Sequence, residues 1–236
     1  MSRALRLAAT ALPLRSNGSV GFEVLMVRRN ENLSFGGLWT FPGGTFESID
    51  GDFPVSVDEE TQDWTDEALV EIARNAAARE TSEETALQCE RTSMTLFSHW
   101  IPPDKGGPPK RFATWFFLAP RVSGQLFVDR TENSEARWVA PAAAIAEYEH
   151  RMFPVAVPTW VTLDDLTRYS TIDALLADST ASGPRLHHTQ NLREENTVLL
   201  MWSGDSSYDS NEVDQSPPHN RVVMDSEGRI IRRSSG

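Results

Sequence analysis

Arg79-Glu80-Thr81-Ser82-Glu83-Glu84 closes an alanine-rich run from Asp66 to Thr85 and carries three carboxylates at positions i, i+3 and i+4. The run has no internal Gly or Pro and reads as one long helix, on which residues three and four apart share a face. With ~100° per residue and Glu80 at zero, Glu83 falls near −60° and Glu84 near +40°. By the same ~100° step Leu69, Ala73, Ala76 and Ala77 fall near −20°, +20°, −40° and +60°. Glu67, Glu71, Arg74, Asn75 and Ser82 take the opposite side. The carboxylates therefore extend the apolar stripe and are predicted to point toward the body of the protein. Left alone there, they would destabilise the fold, and their pKa values would rise until some became neutral. A divalent cation relieves this, and all-oxygen ligation selects magnesium or manganese over zinc or copper. Such a site suits phosphoryl chemistry, because the metal activates a water and neutralises phosphate oxygens. Small side chains at 73, 76 and 77 let a strand or loop approach the helix, a route for a backbone carbonyl to reach the metal.

Outward from this helix, Gly36-Gly37-Leu38-Trp39-Thr40-Phe41-Pro42-Gly43-Gly44 sets glycine pairs on either side of a short Trp/Phe strand. Leu5 to Leu14 reads as a first strand and Gly21 to Val27 as its hairpin partner. Ser48 to Asp63, with Asp50, Asp52, Asp58, Glu59, Glu60 and Asp63, reads as an acidic inserted loop. Strands are predicted over Thr92–Trp100, Phe112–Leu118 and Arg137–Val139, set off by Pro/Gly turns. Trp115-Phe116-Phe117 is read as core rather than as a base-stacking platform. Pro141 opens a short helix through Tyr148, and Pro158–Tyr169 and Thr171–Ala177 form a helical cap. Ser203 to Asn220 reads as a loosely ordered linker, and Val222–Met224 with Arg229–Ile231 as a small terminal hairpin. The expected division is a main domain over residues 1–202 and a polar tail over 203–236, without internal repeats.

Composition narrows the function. The 236 residues hold 22 Lys+Arg against 34 Asp+Glu, a net charge of −12, which argues against nucleic acid and anionic membranes as partners. No stretch approaches the roughly 18 apolar residues of a membrane span. A single cysteine, Cys89, excludes an internal disulfide framework and a cysteine-rich zinc site, and fits a cytoplasmic protein. Met1 to Arg15 carries Arg3, Arg6 and Arg15 without an acid, as a transit peptide can, but reads more simply as strand.

Gly43-Gly44, then Glu71, Arg79-Glu80-Thr81-Ser82-Glu83-Glu84 and Thr85-Ala86-Leu87 resemble the Nudix box, G-x5-E-x7-R-E-U-x-E-E-x-G-U. From Glu71 onward the spacing is the family's. Twenty-six residues stand between Gly44 and Glu71 where the box has five, Ala86 replaces its glycine, and Thr81 replaces an aliphatic residue. The resemblance covers roughly Arg3 to Val139 and implies an α/β (α+β) Nudix sandwich, a mixed sheet between helices, with added C-terminal helices. The long insertion, together with Lys110-Arg111-Phe112 and Pro158-Thr159-Trp160, is similar to the branch holding coenzyme A diphosphatases. The strand Leu25-Met26-Val27-Arg28-Arg29 resembles the coenzyme A signature loosely, and Ser234-Ser235-Gly236 is not a peroxisomal address.

The resemblance implies that Glu80, Glu83 and Glu84 are metal ligands, joined by the Gly43 carbonyl, and that Arg79 orients the glutamates. Glu71, opposite Glu80 on the wheel, pairs with Arg79 or Arg74. A further acid, Glu132 or Glu135, serves as base or extra ligand. Arg28, Arg29, Lys110 and Arg111 are the candidates for substrate phosphates. His187-His188 reads as a loop feature. The implied reaction is the Mg2+- or Mn2+-dependent hydrolysis of X-P-O-P-Y to X-P and P-Y, with coenzyme A or acyl-coenzyme A first among substrates. ADP-ribose, NADH and dinucleoside polyphosphates come next, and a non-catalytic nucleotide-binding module is the rival. Processing of capped RNA fits the acidic composition worst. The oligomeric state stays open, a homodimer included.

Overall fold

Strand β1, Leu5–Ser16, alternates little because it is buried on both faces, and it turns into β2, Phe22–Arg29, as an antiparallel hairpin with Leu14 opposite Val24. The computed structural model describes residues 5–18, 21–32, 36–54, 57, 59, 62–105, 107–108, 110–210 and 212–234. Arg3, Asp58, Glu60 and the terminal Ser235-Gly236, which the sequence reading used, lie outside them. The remaining elements are β3 (Trp39–Thr40), β4 (Gly43–Thr45), α1 (Glu67–Thr85), β5 (Gln88–Cys89), a 3-10 turn (Arg91–Ser93), β6 (Thr95–Ile101) and β7 (Arg111–Ala119). They continue as β8 (Val122–Ser123), β9 (Asn133–Val139), α2 (Pro141–Glu149), α3 (Val157–Leu166), α4 (Ile172–Ser182), β10 (Arg185–Glu194), β11 (Thr197–Trp202), β12 (Arg221–Met224) and β13 (Ile230–Ser234). The class is α/β with a mixed sheet, as expected.

The chain divides into two compact units. The larger, residues 7–98 and 115–184, holds the four described helices and, with only the first part of β6 and the last part of β7, the strand order β6-β7-β1-β2-β3, with β4 on β1 and β9 on β2. Its core is apolar throughout: Leu12, Leu25, Met26, Phe41, Trp115 and Phe117 are fully buried. Each such side chain contributes about 1.5–3 kcal/mol by leaving water. Trp115 satisfies its one polar atom by donating from Nε1 to the Trp64 carbonyl at 3.0 Å. Phe46 and Trp64, at either end of the insertion, pack on the Trp115 ring with centroids 5.3 and 5.7 Å away, and Phe53 meets Phe46 edge-on. Both ends of the inserted loop are thus stapled to the core by aromatic contacts.

Helix α1 is capped by Asp66, whose side chain accepts from the Leu69 N–H at 3.0 Å, and ends at Ala86 in the left-handed region, φ 58°. Its buried residues are Leu69, Val70, Ala73, Ala76, Ala77, Thr81, Glu84 and Thr85. That face is rotated toward Val70 and Thr81 from the stripe expected. At ~100° per residue Glu84 sits ~20° from Ala77 and Glu83 ~120° away. The expectation that all three glutamates point inward therefore needs correcting for Glu83.

The smaller unit, residues 1–6, 99–114 and 185–236, has the order β13-β12-β11-β10-β6. Two expectations are overturned here. His187-His188 lies in strand β10, not in a loop, and His187 stacks on Trp100 at 3.9 Å with planes 3° apart. Burial pushes the His187 imidazole down to about 3, so it is neutral. The strand escaped a hydrophobic pattern because its inward positions are His187 and Thr189. The described residues of 203–220 are also held in turns and not loosely ordered. Asp205 is buried in a run of turns and accepts from Arg221 Nε and Nη2 and from the Ser207 and Asn220 N–H groups. A polar segment is ordered here by a charge pair that its composition does not reveal.

Candidate functional site

Strand β4 lies antiparallel to β1, with Gly43 opposite Thr10 and Gly44 opposite Ala9, and α1 crosses over it. The crossing is too close for side chains. A Cβ on Gly44 would sit 2.3 Å from Glu80 Oε1, and one on Gly43 would sit 2.4 Å from the Ala9 carbonyl. The glycine pair is needed for the approach of carboxylate to backbone that the sequence suggested.

Glu84 is the most deeply buried of the three carboxylates, with a side chain 4% exposed. Oε1 accepts from Arg29 Nη1 at 2.9 Å and Oε2 from the Gly43 N–H at 3.1 Å. Burial is the largest influence on Glu84 and lifts its carboxyl to about 7, against the pull of the Asn133 amide, the Arg29 charge and the Gly43 N–H. Glu80, 14% exposed, is likewise pushed up by burial, while Arg79 opposes the rise and Glu83 and Glu132 add repulsion. Glu83 is 59% exposed and is tied to the site through Arg79.

Arg79 spends all five of its N–H groups. Nη1 donates to Glu80 Oε1 and Glu83 Oε2, both at 2.9 Å, and Nη2 donates to the Thr45 carbonyl at 3.1 Å. Nε and Nη2 also grip the two oxygens of Asp50 at 2.9 Å each. Hydrogen bonding to Asp50 is the largest reason that the guanidinium holds its proton even more firmly than usual. Glu71 instead accepts from Arg74 on the outer face, the second of the two partners expected for it.

Of the loop acids, Glu132 is the one brought to this cluster: its Oε2 lies 3.4 Å from Arg29 Nη1, the same nitrogen that holds Glu84. Glu135 stands exposed opposite Arg28 on the β2–β9 ladder. A regular strand would put 133 and 135 on one face. A bulge at Ser134 of β9, opposite Arg28 and Arg29, breaks that parity, so Asn133 is buried beside Glu84 while Glu135 faces out. Asn30 holds the loop in place, with its N–H on the Glu132 carbonyl and its amide on the Arg130 and Thr131 carbonyls.

The basic candidates have varied fates. Arg29 is at the carboxylates, and Arg28 donates to the Gly37 carbonyl at 3.2 Å. Lys110 is exposed at the entry to β7, in the smaller unit. Arg111, also there, is fully buried, donates to the Pro102 carbonyl at 2.7 Å and lies 3.6 Å from Asp104. Asp50, Asn133 and Asn30 were missed by the sequence reading. For Asp50 the available signal was the Asp50-Gly51 turn between two aromatics, Phe46 and Phe53. A groove of about 430 Å3 lined by Leu14, Arg15, Leu87, Leu126 and Trp138 includes none of the site carboxylates.

Five carboxylates (Asp50, Glu80, Glu83, Glu84 and Glu132) thus share two guanidinium groups. The donor set is all oxygen, and two of its members are raised by burial, which fits a hard divalent cation. Among the described residues, no three His, Cys, Asp or Glu side chains converge closely enough to hold an ion as they stand, since arginines bridge the acids.

The NUDIX domain family model matches residues 4–161. A NUDIX hydrolase from Alicyclobacillus acidocaldarius superposes with a TM-score of 0.57 at 20% identity, over 75% of this chain and 97% of that one, a likeness of fold. MutT NUDIX hydrolase from Burkholderia pseudomallei has a TM-score of 0.46 at 19% identity, over 69% and 98%. The NUDIX domain of Shewanella oneidensis NrtR complexed with ADP ribose has 0.46 at 20% identity, over 70% and 88%. No curated protein matches the chain.

Proposed function

The chain belongs to the Nudix family and is a pyrophosphohydrolase of nucleoside diphosphate derivatives, and from that premise we propose that it cleaves coenzyme A or acyl-coenzyme A with Mg2+ or Mn2+. The observation that carries the site is Glu84, a carboxylate that burial lifts to about 7 while Asn133, Arg29 and the Gly43 N–H only partly offset the rise. Support for the substrate is the long insertion in the box and its resemblance to the coenzyme A diphosphatase branch. The single, half-buried Cys89 is consistent with a cytoplasmic setting.

Nudix enzymes generally use divalent metals. Glu80 and Glu84 would hold the cation, with Glu83 turning in from solvent and the Gly43 carbonyl completing the protein ligands. The cation, when bound, supplies positive charge to the pyrophosphate oxygens and acidifies a water. Glu132 takes the proton of the attacking water, and its support over Glu135 is the Arg29 contact shared with Glu84. Arg29 holds Glu84 and Glu132 apart in fixed positions, and Arg79 does the same for Glu80 and Glu83. Water adds to one phosphorus, the bridging P–O bond breaks, and the leaving phosphate carries away the electron pair.

A panel of coenzyme A, acyl-coenzyme A, ADP-ribose, NADH and diadenosine polyphosphates, each with Mg2+ and with Mn2+, tests this. Coenzyme A species should be cleaved best, and Glu84→Gln should slow cleavage by about 10³-fold, on the order of 4 kcal/mol of barrier. Preference for ADP-ribose would overturn the substrate and keep the reaction. Cleavage surviving in both Glu83→Gln and Glu84→Gln would overturn the site.

A further inference from the structure

We propose that Asp50, contributed by the insertion, is a positioning residue of the hydrolase site, acting through Arg79 on Glu80 and Glu83; this rests on the function proposed above. Three observations meet at this residue. The first is its completeness: the Asp50 side chain is 2% exposed, Oδ1 accepts from Arg79 Nε, and Oδ2 accepts from Arg79 Nη2 and, at 2.8 Å, from the Glu47 N–H. The second is that its loop is fitted to α1. Gly51 has φ 149°, a Cβ there would meet Ile72 at 2.7 Å, and the Asp50 carbonyl accepts from Asn75 Nδ2 at 3.1 Å. The third is that Glu71, the acid at the box position, is occupied by Arg74 on the outer face and leaves Arg79 to another partner.

Charge explains what the arrangement achieves. An arginine beside Glu80 and Glu83 alone would neutralise them and compete with a cation for the same oxygens. Asp50 takes the fork of the guanidinium in a bidentate grip and offsets its charge from the side away from Glu80 and Glu83. The Nη1 edge is then left as a fixed bracket that sets the spacing of the two glutamates, whose negative charge remains available. The insertion therefore supplies a part of the site instead of merely lengthening a loop.

Asp50→Asn tests this, with Mn2+ alone titrated by the electron paramagnetic resonance of the free ion, and with kcat and KM on the preferred diphosphate. Loss of an outer-sphere partner typically weakens metal affinity or activity about 10- to 100-fold. Mn2+ affinity and kcat should fall in that range, while KM changes little and thermal unfolding shows a folded protein. In an Arg79→Gln background the same substitution should have no further effect, because the path runs through Arg79. If Asp50→Asn does not fold, Asp50→Glu, which keeps the charge but shifts it by a methylene, should still weaken Mn2+ binding several-fold at unchanged Tm. Wild-type Mn2+ affinity and kcat in Asp50→Asn or Asp50→Glu, or additive losses with Arg79→Gln, overturn the proposal. With Glu84→Gln inactive, that failure is confined to Asp50; with Glu84→Gln fully active, the site reading itself has failed.

Discussion

Arg79 with Asp50 in the larger unit and Arg221 with Asp205 in the smaller are the same chemical pair in different charge surroundings. Each arginine meets a buried carboxylate through Nε and Nη2. Around Arg221 the account balances. Burial pushes the Asp205 carboxyl up, but hydrogen bonds from Arg221 and from the Ser207 and Asn220 N–H groups outweigh it and hold Asp205 below the usual range. Around Arg79 and Arg29 five acids crowd two guanidinium groups, and burial leaves Glu80 and Glu84 raised. A buried ion pair is thus weak evidence of function by itself. The uncompensated remainder beside it distinguishes a site from a structural clasp.

The sharpest way to break the comparison is to remove the arginine of the structural clasp. Arg221→Ala leaves Asp205 buried without its counter-charge and should destabilise the protein by about 3–5 kcal/mol. Urea unfolding would measure this, and a loss below about 1 kcal/mol would mean that the clasp is not structural.

A smaller effect separates the two through pH. Glu84 ionises near 4.5 when unfolded and at about 7 in the native protein, so the native state keeps the extra proton longer. Without divalent cation, stability should therefore be full below about pH 4.5 and fall as pH rises toward 7, by at most about 3 kcal/mol. Glu84→Gln should flatten that slope, while Asp205, whose shift is the opposite, gives a loss only on acidification. Thermal unfolding between pH 5 and 8 with chelator decides it; a flat profile in the wild type would show that Glu84 is compensated after all.

The smallest expected change sharpens the idea that the site-bearing unit stores unfavourable terms. Ala86 ends α1 at φ 58°, where a Cβ is disfavoured and the family's box carries glycine. Ala86→Gly should raise stability by about 1 kcal/mol, read as a rise in Tm of a few degrees.

Much of this could be read along the chain. Helix α1 was legible to within a residue at its start and at its end, because its alanine-rich propensity and the absence of Gly and Pro agree, and the Asp66 cap then fixes the start. The hairpin of β1 and β2 and the proline-opened helices followed from local signals of the same kind. Strand β10 was not legible, since its buried positions are His187 and Thr189 rather than aliphatic residues. The site divides in the same way: the spacing of Glu80, Glu83 and Glu84 brought attention to the helix, but whether Glu83 is buried depends on a rotation of the packed face that α1 alone does not set.

What the amino-acid order determined by itself is therefore the periodic part: a helix with its acids in register, glycines where backbone must come close, and a net negative charge. Tertiary structure alone decided the long-range pairings, because each depends on where two distant segments meet. Asp50 reaches Arg79 across 29 residues, Arg29 reaches Glu84 across 55, and the bulge opposite Arg28 and Arg29 turns Asn133 inward and Glu135 outward. Charge and backbone parity at such meetings are properties of packing, and no window of sequence contains both partners.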